Sequence, residues 1–286
     1  MHVSVNGARL WYDVDGPLVV PAGSEMRERA TVVLVHGGPG SYDHSYFKPD
    51  FARLTGVAQV VYLDLRDHGR SARGDPGDWS FEQCADDIRA FCDALGIDRP
   101  IVFGHSMGGW IVLLYGARHP GHAGGLVLQG AMARFDLERL VEGFRRAGGD
   151  AVAAIARRDF GEAPVGPDEW ARAFAAFGPN VPDDDQLARR IRNPDVGLRG
   201  MRLLRELDVV DQVSRIDRPT LVCVGELDAV TPVEASREIA EALPEGVGRL
   251  EIIAGAGHFP WLDDPDTYFR VLADFVTSVD RATRRP

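Results

Sequence analysis

Six short apolar segments restrict the fold of this chain more than any other feature of its sequence. They are TVVLV from residue 31, VAQVVYL from 57, PIVFG from 100, AGGLVLQ from 123, PTLVCVG from 219 and RLEIIAG from 249. Such segments, bounded by Gly and Pro and too short for helices, are typical of strands that are covered on both faces, as in a parallel sheet. They alternate with helix-like stretches, so the sequence predicts an α/β fold with a doubly wound, mostly parallel sheet.

The stretches between these segments have helical periodicity at 81–95, 109–118, 233–243 and 268–279. Ser80 is placed to cap the first of these helices, with Gln83 three residues later. The amino-terminal residues 3–10 and 14–20 alternate apolar and polar side chains and predict an opening pair of antiparallel strands.

One interval, 131–215, breaks the alternation because it contains no convincing strand. Helix-like stretches fill it at 137–146, 151–158, 169–177 and 198–207, with a proline-rich, acidic break at 178–185. A helical insertion between parallel strands is most simply a cap over the carboxyl edge of the sheet, where ligands bind, and a separate helical domain is the alternative. The predicted organisation is a first part of the core at 1–130, a helical cap at 131–215 and a second part of the core at 216–286.

Composition and charge exclude several classes of partner. The 286 residues are 45% hydrophobic, and their net charge of -11 opposes binding to nucleic acid or anionic lipid. No segment approaches the ~20 apolar residues that span a bilayer, and the amino terminus does not resemble a signal peptide. Cys84, Cys92 and Cys223 are not spaced as metal ligands and are expected to be buried thiols. We therefore expect a cytoplasmic protein with no membrane or nucleic-acid partner.

The segment GHSMGG, which follows the strand-like PIVFG and precedes an apolar helix, places Ser106 at a strand-to-helix corner. A serine at such a corner is forced into a strained backbone conformation and needs small residues on both sides, here Gly104 and Gly108. Its hydroxyl then lies at a helix amino terminus, which favours developing negative charge. The alternative is an ordinary turn that contains serine. In this context the motif predicts a nucleophile.

A serine nucleophile needs a base, and the base needs an orienting acid. His258 is the best candidate for the base, because it lies in the loop AGAGHFP directly after a predicted strand. Asp228, in the loop GELDAVTP, is the predicted acid, with Glu226 as its rival. His105 is expected to point away from the serine, and His44 is a weaker candidate for the pocket. The chain order Ser, Asp, His is that of one catalytic fold.

An oxyanion needs hydrogen-bond donors, and the loop HGGPG at 36–40 offers backbone N–H groups between glycines. We predict the N–H groups of Gly38 and Met107 as the donors, and His36 as an anchor of the loop. A phosphate-binding interpretation is weak, because no Lys-Ser/Thr pair follows and proline removes one donor. Further residues are candidates for the walls of the substrate pocket: Gly37, Trp110, Glu169, Trp170, Glu226, Phe259 and Trp261.

In chain order, HGGPG, GHSMGG, GELD and GAGHFPWLDDP resemble the motifs of the α/β-hydrolase superfamily. HGGPG, DLRDHGRS from 64 and ARHPGHAGGLVLQG from 117 are similar to the proline iminopeptidase branch. That resemblance implies release of an amino-terminal proline, with carboxylates of the cap and loops holding the free amine. The chain departs from the branch at His105 and Met107, which look like those of esterases, lactonases and carbon–carbon bond hydrolases. In DLRDHG, Asp64 and Asp67 are expected to be turn carboxylates.

The sequence thus predicts a serine hydrolase that cleaves a small ester-like acyl substrate through an acyl-enzyme. No cofactor and no metal is expected, the partner is the small-molecule acyl substrate, and oligomeric state is not predicted. A proline iminopeptidase-like aminopeptidase is one alternative, and a hydrolase-fold protein that binds a ligand without turnover is another. Epoxide hydrolases and haloalkane dehalogenases are disfavoured, because their nucleophile is a carboxylate.

Overall fold

The computed structural model describes residues 1–283, which contain an eight-stranded sheet and a separate two-stranded ribbon. The strands, in chain order, are β1 His2–Val5, β2 Ala8–Asp15, β3 Val19–Ala22, β4 Glu25–Glu28, β5 Ala30–Val35, β6 Ala58–Asp64, β7 Ile101–His105, β8 Gly125–Gln129, β9 Thr220–Gly225 and β10 Gly248–Ile253. The sheet order is β1-β2-β6-β5-β7-β8-β9-β10. Within the eight described strands of this sheet, the pairs β1–β2 and β2–β6 are antiparallel and the other five are parallel, so the predicted mostly parallel, doubly wound sheet is confirmed.

Alternate residues of the central strands pack on opposite faces of the sheet. In β5, Val33 and Val35 belong to one apolar cluster, while Val32 and Leu34 belong to the other. The helices are α1 Phe81–Leu95, α2 Met107–Arg118, α3 Leu137–Gly161, α4 Pro167–Phe174, α5 Asp184–Arg189, α6 Pro194–Arg205, α7 Val210–Val213, α8 Val233–Ala242, α9 Pro260–Asp263 and α10 Pro265–Thr283. Because α1, α2 and α8 contribute to one cluster and α3 and α10 to the other, both faces are covered.

The amino-terminal strands differ from their prediction. The segment predicted as one strand over 3–10 contains a tight turn at Asn6 and Gly7, whose φ angles are 47° and 75°. The hairpin β1–β2 forms around this turn, so the predicted second strand over 14–20 is wrong: β2 ends at Asp15, and Val19 begins β3, which pairs with β4 in the ribbon. An Asn-Gly pair favours such a turn because both residues accept positive φ.

All helices between β8 and β9 belong to one insertion, α3 to α7, which we call the helical insertion. Its longest helix, α3, is interrupted at Gly149, where φ is 77° and ψ is -176°. The chain then crosses the carboxyl edge of the sheet, because the backbone N–H of His258 donates to the carbonyl of Phe177 (2.7 Å) and that of Asn193 to the carbonyl of Gly40 (2.8 Å). The insertion is therefore fixed to the loops that follow β10 and β5.

The three cysteines are buried, as predicted. Cys84, Cys92 and Cys223 are buried free thiols, and burial raises the pKa of Cys92 and of Cys223 to about 12. Among the described residues, none of the helices has the length and apolar character needed to cross a bilayer.

Candidate active site

The corner between β7 and α2 holds Ser106 in a backbone conformation that residues with a side chain rarely adopt, with φ 54° and ψ -121°. A Cβ on Gly104 would lie 2.2 Å from the carbonyl oxygen of Gly108. A Cβ on Gly108 would lie 2.3 Å from the carbonyl oxygen of Val35. Gly104 and Gly108 must therefore both be glycine for β7, α2 and the end of β5 to pack together. Ser106 lies between them, at the amino terminus of α2.

The glycine loop after β5 lies against this corner. A Cβ on Gly37 would be 3.4 Å from Cβ of Ser106, and one on Gly38 would be 3.1 Å from Cε of Met107. Met107 begins α2, so its N–H is among the donors that find no acceptor inside the helix. Gly38, one predicted oxyanion donor, thus lies against the side chain of Met107, the other, and Gly37 lies against Ser106.

Two buried, uncharged histidines fix this loop. His36 donates from Nδ1 to the carbonyl of Gly37 (2.6 Å) and accepts at Nε2 from the N–H of Leu65 (3.2 Å). His68 accepts at Nε2 from the N–H of Gly40 (2.9 Å). Burial lowers the pKa of His36, and lowers that of His68 to about 3, so both rings are neutral near pH 7. His36 has the geometry of the loop anchor predicted for it.

Asp228 and His258 are hydrogen-bonded to each other in the loops after β9 and β10. His258 Nδ1 lies 2.8 Å from Asp228 Oδ2, and both side chains are buried. Asp228 also accepts from the N–H of Val230 (2.9 Å) and from the N–H (2.8 Å) and hydroxyl (2.8 Å) of Thr231. An ionised carboxylate can only accept hydrogen bonds, so the Nδ1 of His258 that faces it must carry the proton. The Nε2 of His258 is then free to accept a proton.

His105 connects the backbone of His258 to the loop at 36–40, which we call the oxyanion loop after its predicted role. Its Nε2 donates to the carbonyl of His258 (2.9 Å), so its Nδ1 accepts from the hydroxyl of Tyr46 (2.8 Å). The same hydroxyl accepts from the N–H of Gly37 (2.9 Å). Burial holds the pKa of His105 well below its usual value. A neutral imidazole is thus built into the support beneath Ser106, which the sequence did not predict.

A cavity of about 770 Å³ opens above this corner and is roofed by the helical insertion. Ser106 and His258 line it together with Gly38, a predicted oxyanion donor, and four of the predicted pocket residues: Gly37, Trp110, Trp170 and Phe259. Asp228 lies behind His258 and does not line it, as expected of an orienting acid. Trp261 is a core residue, packed edge-on against Phe259 with ring centroids 5.5 Å apart.

The two predicted acidic pocket residues lie elsewhere. Glu169 forms an ion pair with Arg158 on the outside of the insertion. Glu226 accepts from the N–H of Gly255 (2.8 Å) and lines a different depression beside α8. Neither lines the cavity at Ser106, because their helix and loop turn them away from it.

Other charged residues of the insertion do line the cavity, and sequence reasoning missed them. The acids are Asp159 and Glu162, at the end of α3, and the bases are Arg190, Arg192, Arg202 and Arg205. Burial raises the pKa of Asp159, and the nearby charge of Arg205 opposes that rise. The charged composition of 155–165 and 189–205 was visible, but the face that each helix turns to the sheet depends on tertiary packing.

A second cluster of polar side chains is structural. Among the described residues, Asp43, His44 and Asp64 form the group with the spacing of metal ligands. Asp64 accepts from the N–H (2.9 Å) and Nδ1 (2.8 Å) of His44 and from the N–H of Arg70 (2.8 Å), and Asp43 accepts from the N–H of Ile191 (2.7 Å). These carboxylates close turns and hold the insertion. His44, a weaker candidate for the pocket, is part of this cluster and does not line the cavity.

Relatives of known sequence and structure agree with this architecture. RutD of Pseudomonas savastanoi pv. phaseolicola, named as a carbamate hydrolase, is 27% identical over 260 residues, which cover 87% of this chain and 95% of RutD. A proline iminopeptidase of Thermoplasma volcanium is 24% identical, covering 96% of this chain and 95% of its own. The crystal structure of VinJ, 26% identical, superposes with a TM-score of 0.79 over 98% of both chains.

The match to one family is continuous across the core. Residues 30–265 fit the alpha/beta hydrolase fold, which spans the strands from β5 to β10 together with the Ser106, Asp228 and His258 loops. The sheet order, the strained serine corner and this match are mutually consistent, and they bear out the resemblance in the sequence motifs. The chain belongs to the α/β-hydrolase-fold family.

Proposed function

We propose that this protein is a serine hydrolase that cleaves small ester-like acyl substrates through an acyl-enzyme. The observation that carries the proposal is the strained Ser106 corner, which shares one cavity with a His258 ring whose Nδ1 is bonded to Asp228 at 2.8 Å. In this arrangement His258 Nε2 removes the Ser106 proton as the hydroxyl attacks the substrate carbonyl.

The later steps use the same groups. The N–H groups of Gly38 and Met107 stabilise the oxyanion, and Asp228 stabilises the imidazolium that forms on His258. His258 then gives its proton to the leaving alcohol, and the acyl group stays on Ser106. A water deprotonated by His258 hydrolyses this acyl-enzyme and restores the serine.

The elbow sequence supports an ester-like substrate over a peptide. His105 and Met107 stand where the peptidase branch differs, and His105 contributes to the hydrogen bonds beneath the serine. Aromatic side chains from both the core and the insertion, Trp110, Trp170, Phe177 and Phe259, surround the cavity and suit a small apolar acyl group.

A proline iminopeptidase-like activity is the second candidate. It is favoured by Asp159 and Glu162, which bring two carboxylates to the wall of the cavity where a substrate amine would bind. The relative from Thermoplasma volcanium bears that name. If the protein has this activity, the acids that bind the amine are Asp159 and Glu162, and not Glu169 and Glu226 as the sequence predicted.

The test is labelling with a fluorophosphonate, followed by a panel of short acyl esters, lactones and prolyl amides. We expect labelling of Ser106 and turnover of esters in preference to prolyl amides. Ser106→Ala and His258→Ala should each reduce turnover at least about 10³-fold without unfolding the protein. Absence of labelling in a folded protein means ligand binding without turnover, and contradicts the proposal. Faster turnover of prolyl amides, lost in Glu162→Gln, favours the second candidate instead.

A further inference from the structure

The cavity carries a charge opposite to that of the whole molecule. The chain has 43 acidic residues against 32 basic ones, but four arginines and only two acids line the cavity. Asp159 is partly offset by the nearby Arg205, which donates from Nε to the carbonyl of Phe160 (2.7 Å). Arg190 and Arg192 line the cavity from another segment, which is hydrogen-bonded to Asp43 and to the carbonyl of Gly40.

Arg190 is held close to the oxyanion loop. Its guanidinium carbon lies over the ring of Tyr42, 5.1 Å from the centroid, and its Nε is buried with no hydrogen-bond partner among the described residues. Burial lowers the pKa of Arg190, and the charge of Arg192 lowers it further, although Tyr42 and Asp43 act in the opposite direction. Arg190 is thus half-buried and Arg192, two residues later, is exposed, and both line the cavity.

The backbone around these arginines is fixed before any ligand arrives. The N–H of Ile191 donates to Asp43 (2.7 Å), and the N–H of Asn193 donates to the carbonyl of Gly40 (2.8 Å). Asp43 already accepts from two backbone N–H groups, those of Ser45 and Ile191. The segment therefore presents its arginines from a fixed position beside the loop that holds Gly38.

Other arginines of the insertion contrast with these two. Arg146, Arg157 and Arg158 each form an ion pair with a glutamate on the outer surface. Within the part of the chain that the structure describes, neither Arg190 nor Arg192 has an ion pair with a carboxylate. A guanidinium is the side chain that binds carboxylates with two parallel hydrogen bonds, so an anionic ligand group would satisfy these donors.

We propose that Arg190 and Arg192 form an anion subsite, and that the substrate of this hydrolase carries a carboxylate besides the acyl bond that Ser106 attacks. The inference rests on the proposed function and narrows its substrate class to carboxylate-bearing esters. The subsite positions the substrate through Arg190, which lies beside the oxyanion loop, while the aromatic walls contact the apolar part.

Two pairs of esters test the subsite, with the carboxylate on either side of the scissile bond. Mono-4-nitrophenyl glutarate is compared with 4-nitrophenyl hexanoate, and 4-butanoyloxybenzoate with phenyl butanoate, after subtraction of uncatalysed hydrolysis. We expect kcat/KM to favour the anionic ester in one pair by about 10-fold or more, and Arg190→Gln to reduce that ratio roughly 10- to 100-fold. Arg190→Lys, which keeps the charge, should retain part of the preference.

Arg189→Gln is the matched control, because it removes the same charge from the neighbouring residue. Arg189 lines a separate depression and does not line the cavity, so the ratio should stay at the wild-type value. If Arg190→Gln proves unstable in thermal unfolding, Arg192→Gln provides the second measurement. A wild-type enzyme that hydrolyses the neutral ester at least as well in both pairs overturns the subsite and leaves the proposed function intact.

Calorimetric binding to Ser106→Ala separates this inference from the proposed function. We expect 4-butanoyloxybenzoate or mono-4-nitrophenyl glutarate to bind at least about 10-fold more tightly than its neutral partner, and the difference to disappear in the Ser106→Ala, Arg190→Gln double variant. If the wild type hydrolyses no ester, the proposed function is wrong, and the calorimetric binding still tests the anion subsite. Equal binding of the anionic and neutral esters overturns the anion subsite.

Discussion

A chain of hydrogen bonds through Tyr46 and His105 links Gly37 to the backbone of His258. Its members are buried, and the tyrosine hydroxyl both accepts from Gly37 and donates to His105. In Tyr46→Phe, the Gly37 N–H and His105 Nδ1 lose their partner in a region without water access. We expect a loss of about 1–3 kcal/mol in the free energy of unfolding, together with a kcat reduced roughly 10-fold because the loop of Gly38 shifts.

Tyr268→Phe is the control for this change. The Tyr268 hydroxyl is buried and has no hydrogen-bond partner among the described residues, so its removal breaks no bond. Urea unfolding and ester kinetics should show Tyr268→Phe within about 0.5 kcal/mol of the wild type. If the two variants behave alike, the Tyr46 hydroxyl does not position the site.

The candidate-site residues that the sequence predicted and the structure brings together are those that a local motif marks. Ser106 lies between obligatory glycines, and Asp228 and His258 follow predicted strands whose carboxyl ends meet at one edge. Asp159 and Glu162 were missed in favour of Glu169 and Glu226, because no local signal tells which face of a helical insertion turns toward the sheet. The Tyr46–His105 pair joins residues 59 apart, and only the folded chain brings them together.

At the scale of elements, the close contact of α2 with β5 depends on a single glycine. A Cβ on Gly108 would lie 2.3 Å from the carbonyl oxygen of Val35 and 2.7 Å from that of His36, both backbone atoms that cannot rotate away. In Gly108→Ala we expect α2 to move from the end of β5, with destabilisation of at least about 2 kcal/mol and loss of ester turnover.

Gly56→Ala tests whether this effect is specific to the corner. Gly56 ends the 3-10 helix Asp50–Gly56, and nothing lies within 4 Å of a Cβ there. The same substitution should therefore leave thermal unfolding and kinetics near wild-type values. Comparable damage from both variants contradicts the role assigned to the Gly108 contact.

Elements with local signals were also the ones predicted with correct ends. Helix α1 runs over Phe81–Leu95 as predicted, since Ser80 accepts from the N–H of Gln83 (3.1 Å) and Gly96 ends the helix with φ 65°. The ribbon of β3 and β4 was missed because nearly all of its residues are exposed. Without a buried face, a strand does not need alternating apolar and polar residues, so the sequence carries no strand pattern there.

For the whole molecule, three buried histidines make stability depend on pH. Burial lowers the pKa of His36, His68 and His105 below the ordinary value of 6.5. Between the folded and unfolded pKa values the unfolded chain binds more protons, so stability increases with pH in that window. The stabilisation is complete above about pH 6.5 and is lost as the pH falls toward the folded pKa, which is about 3 for His68.

His68 alone should contribute about 1.4 kcal/mol per pH unit to the slope of unfolding free energy below pH 6. His68 bonds to two backbone groups, the N–H of Gly40 and the carbonyl of Arg66 (2.8 Å). We expect His68→Asn, whose amide can replace one of these bonds, to be less stable than the wild type at pH 7.5. Because the asparagine does not titrate, its unfolding free energy should decline more slowly with acid, and the two curves should approach each other between pH 6 and 5. Parallel curves in urea unfolding would mean that His68 is already protonated in the folded protein, and that the Gly40 loop is held in another way.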